Sequence, residues 1–137
     1  MFQKILALML LSYNSYTDLK MRLVSLISVA GAVVLSLAAG FFTEGKDIGS
    51  LVSGAAPGIV LLVLSRLSQG AVGEGDAYIF IALGIMLGIG KCMYILIVSL
   101  VISSMLGIAL LIINPEKNTD HLPFIPFVLL SFLWCCL

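Results

Sequence analysis

From Leu23 to Phe42 the chain carries no charged residue. A helix that crosses a bilayer needs about 20 mostly apolar residues, and a membrane strand only about 10. In lipid every backbone N–H and C=O must be satisfied within the protein, so a run of this length reads as a transmembrane helix. The same reasoning applies to Ile48–Leu67, which has Arg66 at its end, and to Cys92–Ile113. The latter stops at Asn114-Pro115, because proline rarely continues a helix. Asp76–Gly90 is short and abuts Lys91, while Met1–Tyr16 and Leu122–Leu137 lie at the lower length limit. Composition agrees: 61% of residues are hydrophobic and 10% charged, whereas soluble domains are nearer half and a quarter. The sequence therefore predicts an all-α polytopic membrane protein with about six transmembrane helices in one bundle. It is read as a single membrane-embedded domain over residues 1–137.

Met1–Tyr16 could also be read as a signal peptide, with Lys4 before the apolar Ile5–Leu11. No small-x-small cleavage site follows, and Asn14, Ser15, Tyr16 and Thr17 suit a helix running on into an interface. Six spans would put Lys20, Arg22, Arg66 and Lys117 on one side and Lys4, Lys46 and Lys91 on the other. Lys and Arg in short loops favour the cytoplasm. This small excess makes the side holding Asp18 and the Glu74–Asp76 stretch cytoplasmic. Those two stretches share a face whichever way the chain inserts, since the crossings between them are even in number.

The formal net charge is zero, and no basic patch suggests a nucleic-acid partner. The cysteines, Cys92, Cys135 and Cys136, form no C-x-x-C pair, and His121 completes no familiar zinc spacing with them. No metal site is expected. Gly54-x-x-x-Gly58 and Gly84-x-x-x-Gly88 would let helices approach closely. Pro57 is expected to kink the third span, and Pro123 and Pro126 suit the first turn of the last helix. Phe124, Phe127 and Trp134 read as packing or interface anchors.

The acids carry the functional signal. Asp18 closes the first span in "SYTDLKMR", and Asp76 opens the fourth in "AVGEGDAYIF". Acids at helix ends facing a bundle are costly and are functional candidates by default. Two carboxylates held close cannot both ionise cheaply, so one keeps its proton while the other stays charged. Such a pair can take a proton from water and give one to a carbonyl oxygen, which is general acid–base hydrolysis. Gly73 and Gly75 would let the loop turn sharply into the helix and hold Asp76 toward Asp18. Taken singly, each acid has a plainer reading. Asp76 could cap its helix, Asp18 could be solvated beside Lys20 and Arg22, and Glu74 reads as a solvated loop acid.

Together the motifs resemble the type IV prepilin peptidase family of GxGD aspartic membrane proteases. "SYTDLKMRLVS" is similar to its first aspartate motif, "GEGDAYIFIALGIMLG" to its G-x-G-D motif and following helix, and "LPFIPFVLL" to the opening of its last helix. The length suits the short branch, which includes tight-adherence (Flp-type) and preflagellin peptidases. The resemblance implies a multi-pass aspartic endopeptidase of the inner or plasma membrane, active at the cytoplasmic face. It would cut the short basic leader from prepilins or pilin-like proteins, its substrate partners in the bilayer. Asp18 and Asp76 would be the catalytic pair, with Gly73 and Gly75 completing the loop motif. The sequence departs from the family at Tyr78, where many relatives have lysine. It departs again at Leu23, Val24 and Ser25, where an isoleucine–proline or isoleucine–asparagine pair is usual. No cytosolic domain with paired cysteines is present in this sequence. The resemblance therefore implies cleavage without N-methylation, with no cofactor, neither S-adenosylmethionine nor zinc. Two other classes remain open: a presenilin-like intramembrane protease, although no Pro-Ala-Leu motif occurs, and a non-enzymatic transporter subunit or assembly scaffold. Neither the substrate's identity nor the oligomeric state is legible.

Overall fold

The computed structural model describes residues 2–21, 26–42, 47–68, 73–113 and 124–136. These form six α-helices: α1 (Phe2–Met21), α2 (Leu26–Phe42), α3 (Ile48–Leu67), α4 (Glu74–Leu87), α5 (Ile89–Ile113) and α6 (Ile125–Cys136). The expected all-α architecture is what forms, with no strand among the described residues. Two helices, α3 and α5, are long and apolar enough to cross a membrane, and α6 is a shorter apolar helix. Arg22, the Leu23–Ser25 stretch, Lys117 and His121 lie outside the described residues.

α4 is the centre of the molecule. Its sequence is apolar all round, which suits a helix with neighbours on every side. It touches α1, α2, α3 and α5, and Ala77, Ile79, Phe80, Ala82, Leu83, Gly84, Ile85 and Met86 are all buried. Two of the glycine motifs act here. A Cβ on Gly54 would collide with the Gly84 carbonyl, one on Gly84 with the Gly54 carbonyl, and one on Gly58 with the Ile81 backbone. α3 and α4 therefore meet main chain to main chain. Gly88 does a different job from the expected close approach. It ends α4 at φ 84°, in the left-handed region that favours glycine, and its N–H is donated to the Gly84 carbonyl at 2.9 Å. Pro57 is buried inside α3, which continues through it.

α1 differs from the other helices because its inward side is partly polar. Ala7, Leu11 and Asn14 are fully buried, and Asp18 continues the same line at helical spacing. Asn14 donates its amide to the Leu10 carbonyl at 2.9 Å, and Thr17 donates its hydroxyl to the Asn14 carbonyl at 3.0 Å. These back-bonds keep polar side chains satisfied in a low-dielectric interior. By contrast, the outward sides of α3, α5 and α6 expose large apolar groups such as Val52, Val63, Met105, Ile112 and Trp134. A water-soluble monomer rarely shows so continuous an apolar surface, whereas acyl chains cover it without cost. The chain is a membrane protein.

Candidate active site

The first segment stays helical beyond its expected end at Tyr16, as far as Met21. Asp18 consequently sits in the last turns of α1 and not in a loop. Its carboxylate is half-buried, and its Oδ2 accepts a hydrogen bond from the Ile125 backbone N–H at 3.4 Å. Next to it, Lys20 turns back, placing its ammonium 5.8 Å from the Tyr16 ring centroid.

The G-x-G-D stretch also departs from expectation. α4 starts at Glu74, so Gly75 and Asp76 lie in its first turn, not in a loop. Gly73 is the cap residue, at φ −61° and ψ 123°, a conformation open to any residue. The expected need for an unusual backbone shape is therefore absent. What Gly73 supplies is room: a Cβ there would lie 3.0 Å from Asp76 Oδ2. Its carbonyl accepts the Asp76 N–H at 3.2 Å and the Ala77 N–H at 3.4 Å, which fixes the first turn beneath the acid. Glu74 points outward instead and pairs with Arg66 at 2.8 Å, both side chains well exposed. This pair ties the end of α3 to the start of α4.

Asp76 shares a face of α4 with Phe80, one turn further on, and both look into the bundle. The apolar run of α4 begins at Ala77, so Asp76 lies at its polar mouth, as Asp18 lies at that of α1. The two acids are near enough to interact. Burial and the Asp18 carboxylate together raise Asp76 to about 7. Asp18 is also raised by burial, while the Ile125 amide works in the opposite direction. A pair of acids perturbed by burial and by its own partner is a pattern typical of reactive sites. Both acids are thus held above the ordinary carboxylate range, and of the two only Asp18 accepts the Ile125 amide, which favours its charged form.

Ile125 had no signal in the sequence, since its contribution is a backbone N–H. Pro123 and Pro126 marked the start of the last helix, but not what that start would face. Phe124 packs its ring against Phe80, with centroids 6.3 Å apart and planes tilted by 40°, in keeping with the anchor role expected of it. Trp134 lies 81% exposed on the outer surface. Tyr78, at the position where many relatives have lysine, is partly buried against the core. Cys92 is buried, and its thiol contacts the Phe80 carbonyl at 3.5 Å. Among the described residues, no three of His, Cys, Asp or Glu gather where they could hold a metal ion.

Comparison with known proteins places this geometry. No curated protein and no solved structure matches the chain. A family model does: that of the type IV leader peptidase family matches residues 5–112, from the first turn of α1 almost to the end of α5 and so across both aspartates. The match covers well over half of the sequence, and the chain belongs to the type IV leader peptidase family.

Proposed function

We propose that the protein is an aspartic endopeptidase of the inner or plasma membrane that removes short basic leaders from type IV prepilins or pilin-like proteins at the cytoplasmic face. Asp18 and Asp76 would be the catalytic pair, with Gly73 and Gly75 shaping the first turn of α4. The observation that carries this reading is the electrostatic coupling of two acids brought from distant parts of the chain to the mouths of α1 and α4. Family membership supports a leader-peptidase activity in general.

The chemistry follows from the unequal proton affinities. With Asp18 ionised and Asp76 protonated, a water between them gives a proton to Asp18 as its oxygen attacks the scissile carbonyl carbon. Asp76 gives its proton to the carbonyl oxygen, and a tetrahedral diol forms. On collapse the ionised Asp76 takes a proton from one hydroxyl while Asp18 protonates the departing amine. The C–N bond breaks and both acids return to their starting states, with no covalent intermediate. Each proton transfer contributes on the order of 100-fold or more in rate.

The test is cleavage of a co-expressed prepilin, followed as the shift in size of the mature product. Asp18→Asn and Asp76→Asn should each abolish processing while the protein still accumulates in the membrane. Full processing by either variant would overturn the proposal and favour a non-enzymatic role.

A further inference from the structure

The opening turn of α6 lies beyond the stretch matched by the family model, which ends at residue 112, yet it reaches the acids. An α-helix leaves its first amides without internal partners. In α6 the Phe124 carbonyl accepts the Phe127 and Val128 N–H groups at 3.0 and 3.3 Å. Pro126 has no N–H, so the Ile125 N–H is the amide this turn can offer. That group meets Asp18 Oδ2 at 3.4 Å. The distance is long, as catalytic hydrogen bonds often are before substrate tightens them.

The position of the amide is fixed from both sides of the pair. The Ile125 side chain is 1% exposed, within the main core, and α6 lies along α1. The neighbouring Phe124 ring rests on Phe80, one turn beyond Asp76 on α4. The helix turn is thus clamped by the two elements that carry the acids.

We propose that the Ile125 amide is a positioning group that selects which aspartate is charged, making Asp18 the base and leaving Asp76 the acid. This rests on the acid pair being catalytic. A hydrogen bond donated to the ionised form of a carboxyl favours that form, and Asp76 receives none from α6 among the described residues. Among the described residues, the other ionisable groups on the helices around Asp18 do not supply this bias. Lys20, on its own helix, lies over Tyr16; α2 carries no ionisable side chain; α6 carries only Cys135 and Cys136; and α4 brings Glu74, paired with Arg66, and Asp76 itself.

The test uses the full chain in lipid vesicles, with Asp18 and Asp76 followed by the carboxyl infrared bands as pH is varied. Asp18→Asn and Asp76→Asn assign the bands. Ile125→Pro removes the N–H at a helix position that tolerates proline. An amide-to-ester exchange at residue 125 removes it with the isoleucine side chain intact, should the proline variant fail to fold. Ile125→Ala keeps the N–H and removes packing. Loss of the N–H should raise the Asp18 midpoint by roughly one pH unit. The acid limb of cleavage of a synthetic basic-leader peptide should move by the same amount, while Ile125→Ala leaves the midpoint where it was. An unshifted midpoint in the ester variant, or an equal shift in Ile125→Ala, overturns the selection role. If Asp18→Asn still cleaves the peptide, the catalytic reading fails instead, so the two failures are distinct.

Discussion

At the scale of single residues, Asp76 sets the terms. Its proton is held to about pH 7 by burial and by the Asp18 charge, far above the usual value for an aspartate of about 4. Cleavage that needs this proton should fall as pH rises through about 7, and a rate profile of the enzyme in vesicles would show it. Stability has the same sign. The folded state binds a proton that the unfolded chain has already released, so stability declines as pH rises from about 4 through about 7. Asp76→Asn should therefore unfold at a higher temperature than the native protein at about pH 8, by a few degrees, and show little difference at about pH 4. Gly73 gives a second prediction. A methyl group 3.0 Å from Asp76 Oδ2 must shift the carboxylate by a few tenths of an ångström, less than the displacement of about 1 Å that costs on the order of 100-fold in rate. Gly73→Ala should therefore lower cleavage by less than about 100-fold with its folding preserved, because φ −61° suits alanine. Circular dichroism beside the processing assay separates the two effects.

Among elements, the decisive contact is that of α3 with α4. Gly54 and Gly84 leave no space for a side chain between the backbones. Gly84→Val should therefore force the helices apart, destabilise the protein by about 1–3 kcal/mol, and lower activity through the displaced start of α4. Thermal unfolding in detergent would measure the first effect. The glycine spacing announced this seam, and the apolar runs announced the helices, because both depend on local pattern. Other features were not legible in that way. The start of α4 was read as a loop because Gly73 and Gly75 are poor helix formers, yet the Gly73 carbonyl accepts the Asp76 and Ala77 N–H groups and closes the first turn at Glu74. Asp18 was placed at the end of the first span, but α1 runs on to Met21, and there the start of α6 meets the acid. Its amide partner lies 107 residues further along, and no side-chain pattern encodes a backbone donor.

For the whole molecule, the apolar outer surface and the polar mouth occupied by the acids divide the work. α5 shows Met105, Ile108 and Ile112 outward, each more than half exposed, and such a surface is stable only under lipid. The protein should stay in the pellet after alkaline carbonate extraction of membranes, and immunoblotting of the two fractions would check it. Mean hydropathy of +1.22 made this solvent readable from composition alone. It could not reveal which helix lies innermost, since α2, α4 and α6 are all strongly apolar and α4 is singled out by its four neighbouring helices.

The main-chain contact between Gly54 and Gly84 has a mechanical consequence. Helices joined so tightly cannot roll or slide past each other, so α3 and α4 behave as one fixed block with Asp76 mounted on its rim. Any change in the spacing of the two acids then belongs to the other jaw, formed by the end of α1 and the opening turn of α6, where the Ile125 N–H meets Asp18.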